Sequence, residues 1–438
     1  MILIIDHENQ RSKIIKMNFE NTLEFAQSLD KKDVLNSFRD KFYFPIINGK
    51  ESIYLTGNSL GLQPKSVQGH ILDELEDWAS YGVEGHHHAA NPWLNYHEMF
   101  PELLVDIVGG KMDEIVAMNQ LTVNIHVLFT TFYRPNKKRY KIICEGKAFP
   151  SDQYAIASQA LIHGLKPEDV IVEIQPRDGE HNIRLEDILQ TIKDHGNELS
   201  LVFMGGVNYY SGQVFDMESI VKAAHETGAF CGFDLAHAVG NVPLHMHEWN
   251  ADFACWCSYK YLNSGPGGVA GVFIHEKHIS NTALLRLAGW WGTNKSSRFL
   301  MEKDFDPILT AEGWQLSNAP VLSMAAHKAA LEIFAEAGMK NIFAKGRTLS
   351  NYLMFIINEI NKKSPEKTIE VITPTGENEK GCQVSMLMLR NGKAIFNELK
   401  KQGVIADWRE PNVIRVAPVA LYNSFEDIYR FGEIISRI

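Results

Sequence analysis

Two short stretches carry residues whose types could do chemistry together. Gly232-Phe233-Asp234-Leu235-Ala236-His237-Ala238 ends an apolar, strand-like run on an aspartate, and Cys257-Ser258-Tyr259-Lys260-Tyr261 places a lysine just past the next such run. An amine that condenses with an aldehyde and a carboxylate that keeps a ring nitrogen protonated are what pyridoxal phosphate (PLP) needs from its protein. A chain offering both on adjacent strand ends points to an enzyme of amino-acid metabolism. Lys260 follows the mostly apolar run Phe253 to Cys257 and precedes Ser264-Gly265-Pro266-Gly267-Gly268. A lysine taken out of water loses preference for its charged form and becomes a better nucleophile. The glycines let backbone approach a ligand closely. Asp234 has a second reading, as N-cap of the Ala236-His237 segment. His237, three residues on, reads almost equally well as a core histidine or as a neighbour of the same ligand.

Weaker motifs surround this pair. Asn119-Gln120-Leu121-Thr122-Val123-Asn124 sets polar groups where a helix could begin, and free N–H groups at a helix start bind phosphate. Phe149-Pro150-Ser151-Asp152 offers an aromatic face and a Ser- or Asp-capped helix start. Ordinary capping explains both equally. Arg415 lies in the apolar run Val413 to Pro418 and needs an anionic partner there. A bidentate substrate carboxylate or a structural ion pair would serve. The run His86-His87-His88 has no carboxylate pattern to complete a metal site, so no metal is expected. A loop with one histidine near the substrate fits it better.

The elements that must position these residues read as an α/β domain. Strand-like runs at 141–145, 170–174, 201–204 and 229–233 alternate with helical patterns at 151–161, 183–192 and 217–227. Continuous apolar runs between amphipathic helices imply a mostly parallel sheet covered on both faces. Right-handed crossovers bring the strand ends, Asp234 among them, to one edge where ligands bind. After Asn318-Ala319-Pro320 the texture changes. A helix-rich stretch at 321–361 leads into strand-like runs at 369–372 and 384–389, a helix at 394–402 and short strands near Val404 and Ile414. The expected division is an N-terminal segment, 1–58, packing on both domains, a large domain, 59–319, and a smaller α+β domain, 320–438.

The 438 residues are 45% hydrophobic and 22% charged, enough for such a core, and the net charge of −10 argues against nucleic acid or an anionic membrane as the main partner. Five cysteines, odd in number and mostly in apolar runs, read as reduced buried thiols of a cytoplasmic protein. The apolar start Met1 to Asp6 is too short for a signal peptide, and no run approaches a membrane span.

Longer stretches carry a resemblance. Residues 232–241 and 252–263, Asn58-Ser59-Leu60-Gly61-Leu62-Gln63-Pro64, Phe149-Pro150-Ser151-Asp152, and Arg415-Val416-Ala417-Pro418 with Leu421-Tyr422-Asn423-Ser424 resemble the kynureninase family, from about residue 54 to 435. The resemblance implies a PLP enzyme of fold type I, with a mostly parallel seven-stranded sheet in the large domain. It implies a homodimer with its sites at the subunit interface. It implies hydrolysis of L-kynurenine to anthranilate and L-alanine in tryptophan catabolism or NAD biosynthesis, with the 3-hydroxy substrate left open. By this resemblance Lys260 forms the Schiff base and, with Tyr259 and Asp234, is catalytic. Asp234 pairs with the pyridine nitrogen and Phe149 stacks on the ring. Leu121, Thr122 and Tyr259 hold the phosphate, while Pro150, Ser151, Asp152 and His237 line the cofactor. Trp290 and Asn318 come from the neighbouring subunit. Ser59, Asn318 and Arg415 contact the substrate. Gly205 stands where some relatives carry a small hydroxyl, implying one cofactor hydrogen bond fewer. The rival readings are a cysteine desulfurase or aminotransferase of the same fold, or a PLP-binding regulator without turnover.

Overall fold

The computed structural model describes residues 18–364 and 366–438. The apolar start at Met1 therefore lies outside the described residues. Two compact units are present. One gathers the described residues up to Leu62 with residues 210–212 and 336–438; the other holds residues 63–209 and 213–335. No helix among the described residues is long and apolar enough to cross a membrane.

The second unit is built on seven strands: β1 (Ile115–Ala117), β2 (Lys141–Glu145), β3 (Ile171–Ile174), β4 (Leu199–Gly205), β5 (Phe230–Asp234), β6 (Phe253–Cys257) and β7 (Ala270–Ile274). Their order is β1-β7-β6-β5-β4-β2-β3. All neighbours are parallel except β7, which runs antiparallel to both β6 and β1. Strands β4 to β7 are buried along their whole length but for Phe230, as expected where helices cover both faces. Crossover helices Pro150–Ile162, Leu185–His195 and Met217–Thr227 match the expected alternation.

Register fixes which residues share the carboxyl edge. Gly205 pairs with Asp234, Asp234 with Cys255, and Ala270 with Cys257. The helix Leu121–Phe132 begins at this same edge. Met118 N–H donates to the Ala270 carbonyl at 2.9 Å, and Asn119 takes φ 52° to turn the chain into the helix. Buried Ile125, Leu128, Phe129 and Phe132 press the helix onto the sheet, with Phe132 stacked on Phe253 at 4.6 Å. Burying each such ring contributes about 1.5–3 kcal/mol. That packing holds the helix start in place.

The first unit carries an antiparallel sheet of β8 (Ile369–Val371), β9 (Val384–Met388), β10 (Asp407–Arg409) and β11 (Val413–Val416), in the order β8-β9-β11-β10. Helices Leu23–Lys32, Met339–Lys363 and Phe425–Arg437 pack with it around Tyr352, Ile356, Ile414 and Phe431. Val404–Ile405 instead pairs in parallel with Ile53–Tyr54.

Candidate active site

Lys260 lies three residues past β6 and is 8% exposed. A turn holds it there: Asn263 N–H donates to the Lys260 carbonyl and Ser264 N–H to the Ser258 carbonyl, both at 3.1 Å. Gly265 and Gly267 follow at φ +91° and +65°, where a Cβ would be strained, and the space beside them is open. The Lys260 Nζ lies 5.7 Å from the centre of the Phe149 ring. That ring is 38% exposed and meets Tyr209 edge-on at 5.2 Å.

Two buried carboxyls, Asp234 and Asp152, face this amine, and a third, Glu145, lies against them. Asp234, at the end of β5, accepts the Ala236 N–H at 2.8 Å. It thus also caps a turn, but residues 235–241 form tight turns and not the helical segment expected. Burial raises the Asp234 carboxyl above its usual range, opposed by the charge of Lys260 and by hydrogen bonds from Ala236 and Asp152. Asp152 is lifted further, first by burial and then by the negative charges of Asp234 and Glu145. Asp152 therefore holds the proton and donates to Asp234. Its Oδ1 is buried without a hydrogen-bond partner, a costly arrangement in a finished core.

Here the structure corrects the reading of 149–152. The helix starts at Pro150 behind Phe149, with no side-chain cap, so neither Ser151 nor Asp152 caps it. Proline at the first position needs no N–H acceptor. Asp152 is thereby free to face inward, while Pro150 is exposed and Ser151 partly buried.

Glu145 is the carboxyl that the sequence did not flag. Both of its oxygens accept the Gly205 N–H at 3.1 Å, and burial raises its pKa to about 7, with the Asp234 charge adding to the shift. A Cβ at residue 205 would sit 2.9 Å from the Glu145 Oε1. The glycine therefore makes room for this carboxyl. Tyr209, against Phe149, was also missed; its signal was position alone, four residues past the end of β4.

The other expected residues lie on several elements. The Leu121–Phe132 helix has no side-chain cap and no acid in its first turn, leaving the N–H groups near Leu121 and exposed Thr122 open to an anion. Burial keeps the Tyr259 phenol protonated, helped by the neighbouring Cys257 thiol. His237 is buried and meets Tyr261 edge-on at 6.4 Å. Trp290 and Asn318 are both exposed on their own chain, and the Trp290 indole donates to the Arg298 carbonyl at 3.0 Å. Ser59 and Arg415 belong to the other unit. Arg415 is 1% exposed and pairs with Asp407 at 2.9 Å, so the ion-pair reading has its partner. His86, His87 and His88 form one helical turn, Gly85–His88, and not a loop. The clusters with metal-ligand spacing among the described residues lie elsewhere, at Glu114, His247 and His275 and at His97, Glu98 and Glu312.

A seven-stranded sheet of this order, a buried lysine past one strand, an aspartate ending the next and an uncapped helix start at the same edge define a PLP-dependent enzyme of fold type I. Solved structures agree on the fold. A cysteine desulfurase from Thermococcus onnurineus superposes with a TM-score of 0.72 at 19% identity, covering 88% of this chain and 94% of that one. One from Escherichia coli gives 0.72 at 15% identity over 92% and 98%. Sequence decides within the fold. A kynureninase of Flavobacterium psychrophilum is 56% identical over 96% of this chain and 99% of its own length. One of Rattus norvegicus is 45% identical over 94% and 92%. Residues 342–435 match the family described as Kynureninase C-terminal domain. The chain belongs to the kynureninase family.

Proposed function

We propose that this protein hydrolyses the Cβ–Cγ bond of L-kynurenine, giving anthranilate and L-alanine, with PLP as cofactor. The observation that carries the reading is the buried cluster of Lys260, Asp234 and Asp152 beside the Phe149 ring, in a chain of this family. An under-satisfied carboxyl pair fits a protonated ring nitrogen, and the orphaned Asp152 Oδ1 marks where polar demand is unmet. PLP, when bound, supplies an electron sink for charge that develops on the substrate.

The chain's own groups divide the remaining work. Lys260 would hold the cofactor through its amine and, once freed by the substrate amine, would take up the Cα proton and then give it up again, returning to the neutral form. The neutral amine so restored would then assist water in adding to the γ-carbonyl. Tyr259, kept protonated by burial, or Lys260 returns a proton to Cβ after cleavage. Asp234 would face the ring nitrogen, and Asp152 holds the proton that keeps Asp234 charged. Phe149 would stack on the ring. Pro150, Ser151, Gly205 and His237 line the cofactor, and the Leu121 and Thr122 N–H groups with Tyr259 take the phosphate. Arg415, with Ser59, is assigned to the substrate carboxylate, and Asp407 fixes the guanidinium.

Trp290 and Asn318 are assigned to a second copy's site. Their exposure supports this, as do exposed Leu72, Leu75 and Trp78 on the helix Val67–Tyr81 and exposed Phe299, Leu300 and Met301. Apolar surface of that kind calls for a covering partner, so the working form is a homodimer. We place the enzyme in the reducing cytoplasm because its five cysteines are all unbridged and buried, and in tryptophan breakdown because of its kynureninase relatives. Their burial also speaks against the desulfurase alternative, which needs an accessible sulfur acceptor.

The test is to incubate protein and PLP with L-kynurenine, with 3-hydroxy-L-kynurenine and with L-cysteine. Equal amounts of aryl acid and alanine from at least one kynurenine are expected. Sulfide from cysteine with no aryl acid from either kynurenine would overturn the reading.

A further inference from the structure

We propose that Glu145 is a positioning residue for the cofactor's ring-nitrogen anchor: it holds the end of β4 through the Gly205 N–H and adds its charge to that of Asp234. The inference rests on the PLP reading above and extends it to a residue outside the chemistry.

The geometry comes first. β2 and β4 pair in register only as far as Ile143 and Val202. Beyond that point the Gly205 N–H is buried with no strand acceptor opposite, and the Glu145 side chain supplies one with both oxygens at 3.1 Å. Gly205 in turn sits in register with Asp234, and the Gly206 N–H donates to the Asp234 carbonyl at 2.8 Å. Glu145 thus reaches Asp234 through one backbone step. Gly205 is required for this, because a Cβ there would press on Oε1 at 2.9 Å.

The chemistry argues that the acid itself matters. A neutral amide oxygen would satisfy the Gly205 N–H equally well, and burying a carboxyl costs more than burying an amide. Yet Glu145 is 4% exposed. The groups facing it are Cys144 on its own strand, the Gly205 backbone from β4, Asp234 from β5 and Asp152 from the helix Pro150–Ile162. Among the described residues no cation acts on it, while Lys260 faces Asp234 and Asp152. The amine and the ring nitrogen are then the positive groups of a site with three carboxyls. A negative charge at Glu145 favours both in their protonated forms.

The experiment is a pH titration of the visible absorbance of the PLP-loaded protein, wild type against Glu145→Gln. The glutamine keeps an oxygen for the Gly205 N–H and loses the charge. The midpoint is expected to fall by about one pH unit. A midpoint unchanged from wild type would overturn the proposal and leave a purely structural acceptor. Should the glutamine variant fail to fold, Gly205→Ala decides, because its methyl group displaces the carboxyl. A midpoint that falls supports the proposal, and one that stays or rises overturns it. Wild-type turnover of kynurenine, measured alongside, tests the underlying reading separately.

Discussion

The two edges of the large sheet treat buried carboxyls in opposite ways. At the amino edge Asp252 precedes β6 and is 2% exposed. It accepts the Cys231 N–H at 2.7 Å, faces the Nε2 atoms of His225 at 2.9 Å and His278 at 2.8 Å, and pairs with Lys277 at 2.9 Å. Burial pushes its pKa up, but these partners outweigh it and hold the carboxylate well below its usual range. At the carboxyl edge Glu145, Asp152 and Asp234 are also buried and all raised, and one amine, that of Lys260, faces only the two aspartates. A carboxylate that only holds the fold together is saturated with partners. A set left under-satisfied has demand that a cationic ring can meet. The difference separates scaffold from site within one sheet.

The largest effect is expected at the carboxyl edge. Asp234→Asn should lower turnover by about 10²–10³-fold, as loss of one preorganised electrostatic partner does. The thermal midpoint of the cofactor-free protein should hold or rise, because a buried, poorly partnered acid is removed. A lowered midpoint would place Asp234 with the scaffold. Next comes Arg415→Ala, which should raise KM about tenfold or more while PLP affinity stays near wild type, measured by steady-state kinetics and cofactor titration. An unchanged KM would leave Asp407–Arg415 as a structural pair only.

Asp252→Asn should show the converse of Asp234→Asn. Denaturant unfolding is expected to show a loss of about 3 kcal/mol, because Lys277 and two histidines lose their shared acceptor. Turnover per folded molecule should stay near wild type. A large fall in kcat with unchanged stability would break the comparison. The smallest effect is in the pH dependence of cofactor-free stability. The depressed Asp252 contributes stability that is full above the ordinary carboxylate range and is lost as pH falls below it. The raised Glu145 works the other way: unfolded chain gives up the proton near 4.5, folded chain near 7, so stability falls as pH rises across that window. Stability should therefore peak at mildly acid pH, and Glu145→Gln should flatten the decline between 4.5 and 7. A wild-type curve still rising through that window would contradict the assignment.

Much of this arrangement was legible in the sequence. The apolar runs that became β2 to β5 alternate cleanly with amphipathic helices, so the parallel sheet and the place of Asp234 at its edge followed from pattern. Lys260 was legible because its flanks are apolar. Other features left weaker marks. β1 is three residues long, too short for any periodicity. β7 is buried at every position, and such a run carries no sign of its direction. Asp152 read as a cap because caps and inward-facing acids share a residue type; only the fold turns it toward Asp234. Glu145 looked like the last residue of a strand. Its meaning depends on Gly205, sixty positions away and absent from any local motif. The helix Phe425–Arg437 did carry a signal that went unread, the reciprocal Ser424–Asp427 capping box.

The central claim, that the amine at 260 is the covalent anchor, is tested most directly by borohydride reduction of the PLP-loaded protein followed by peptide mass spectrometry. The account expects the reduced cofactor on Lys260 and none retained by Lys260→Ala. Label on another lysine, or no label on wild-type protein, would contradict it.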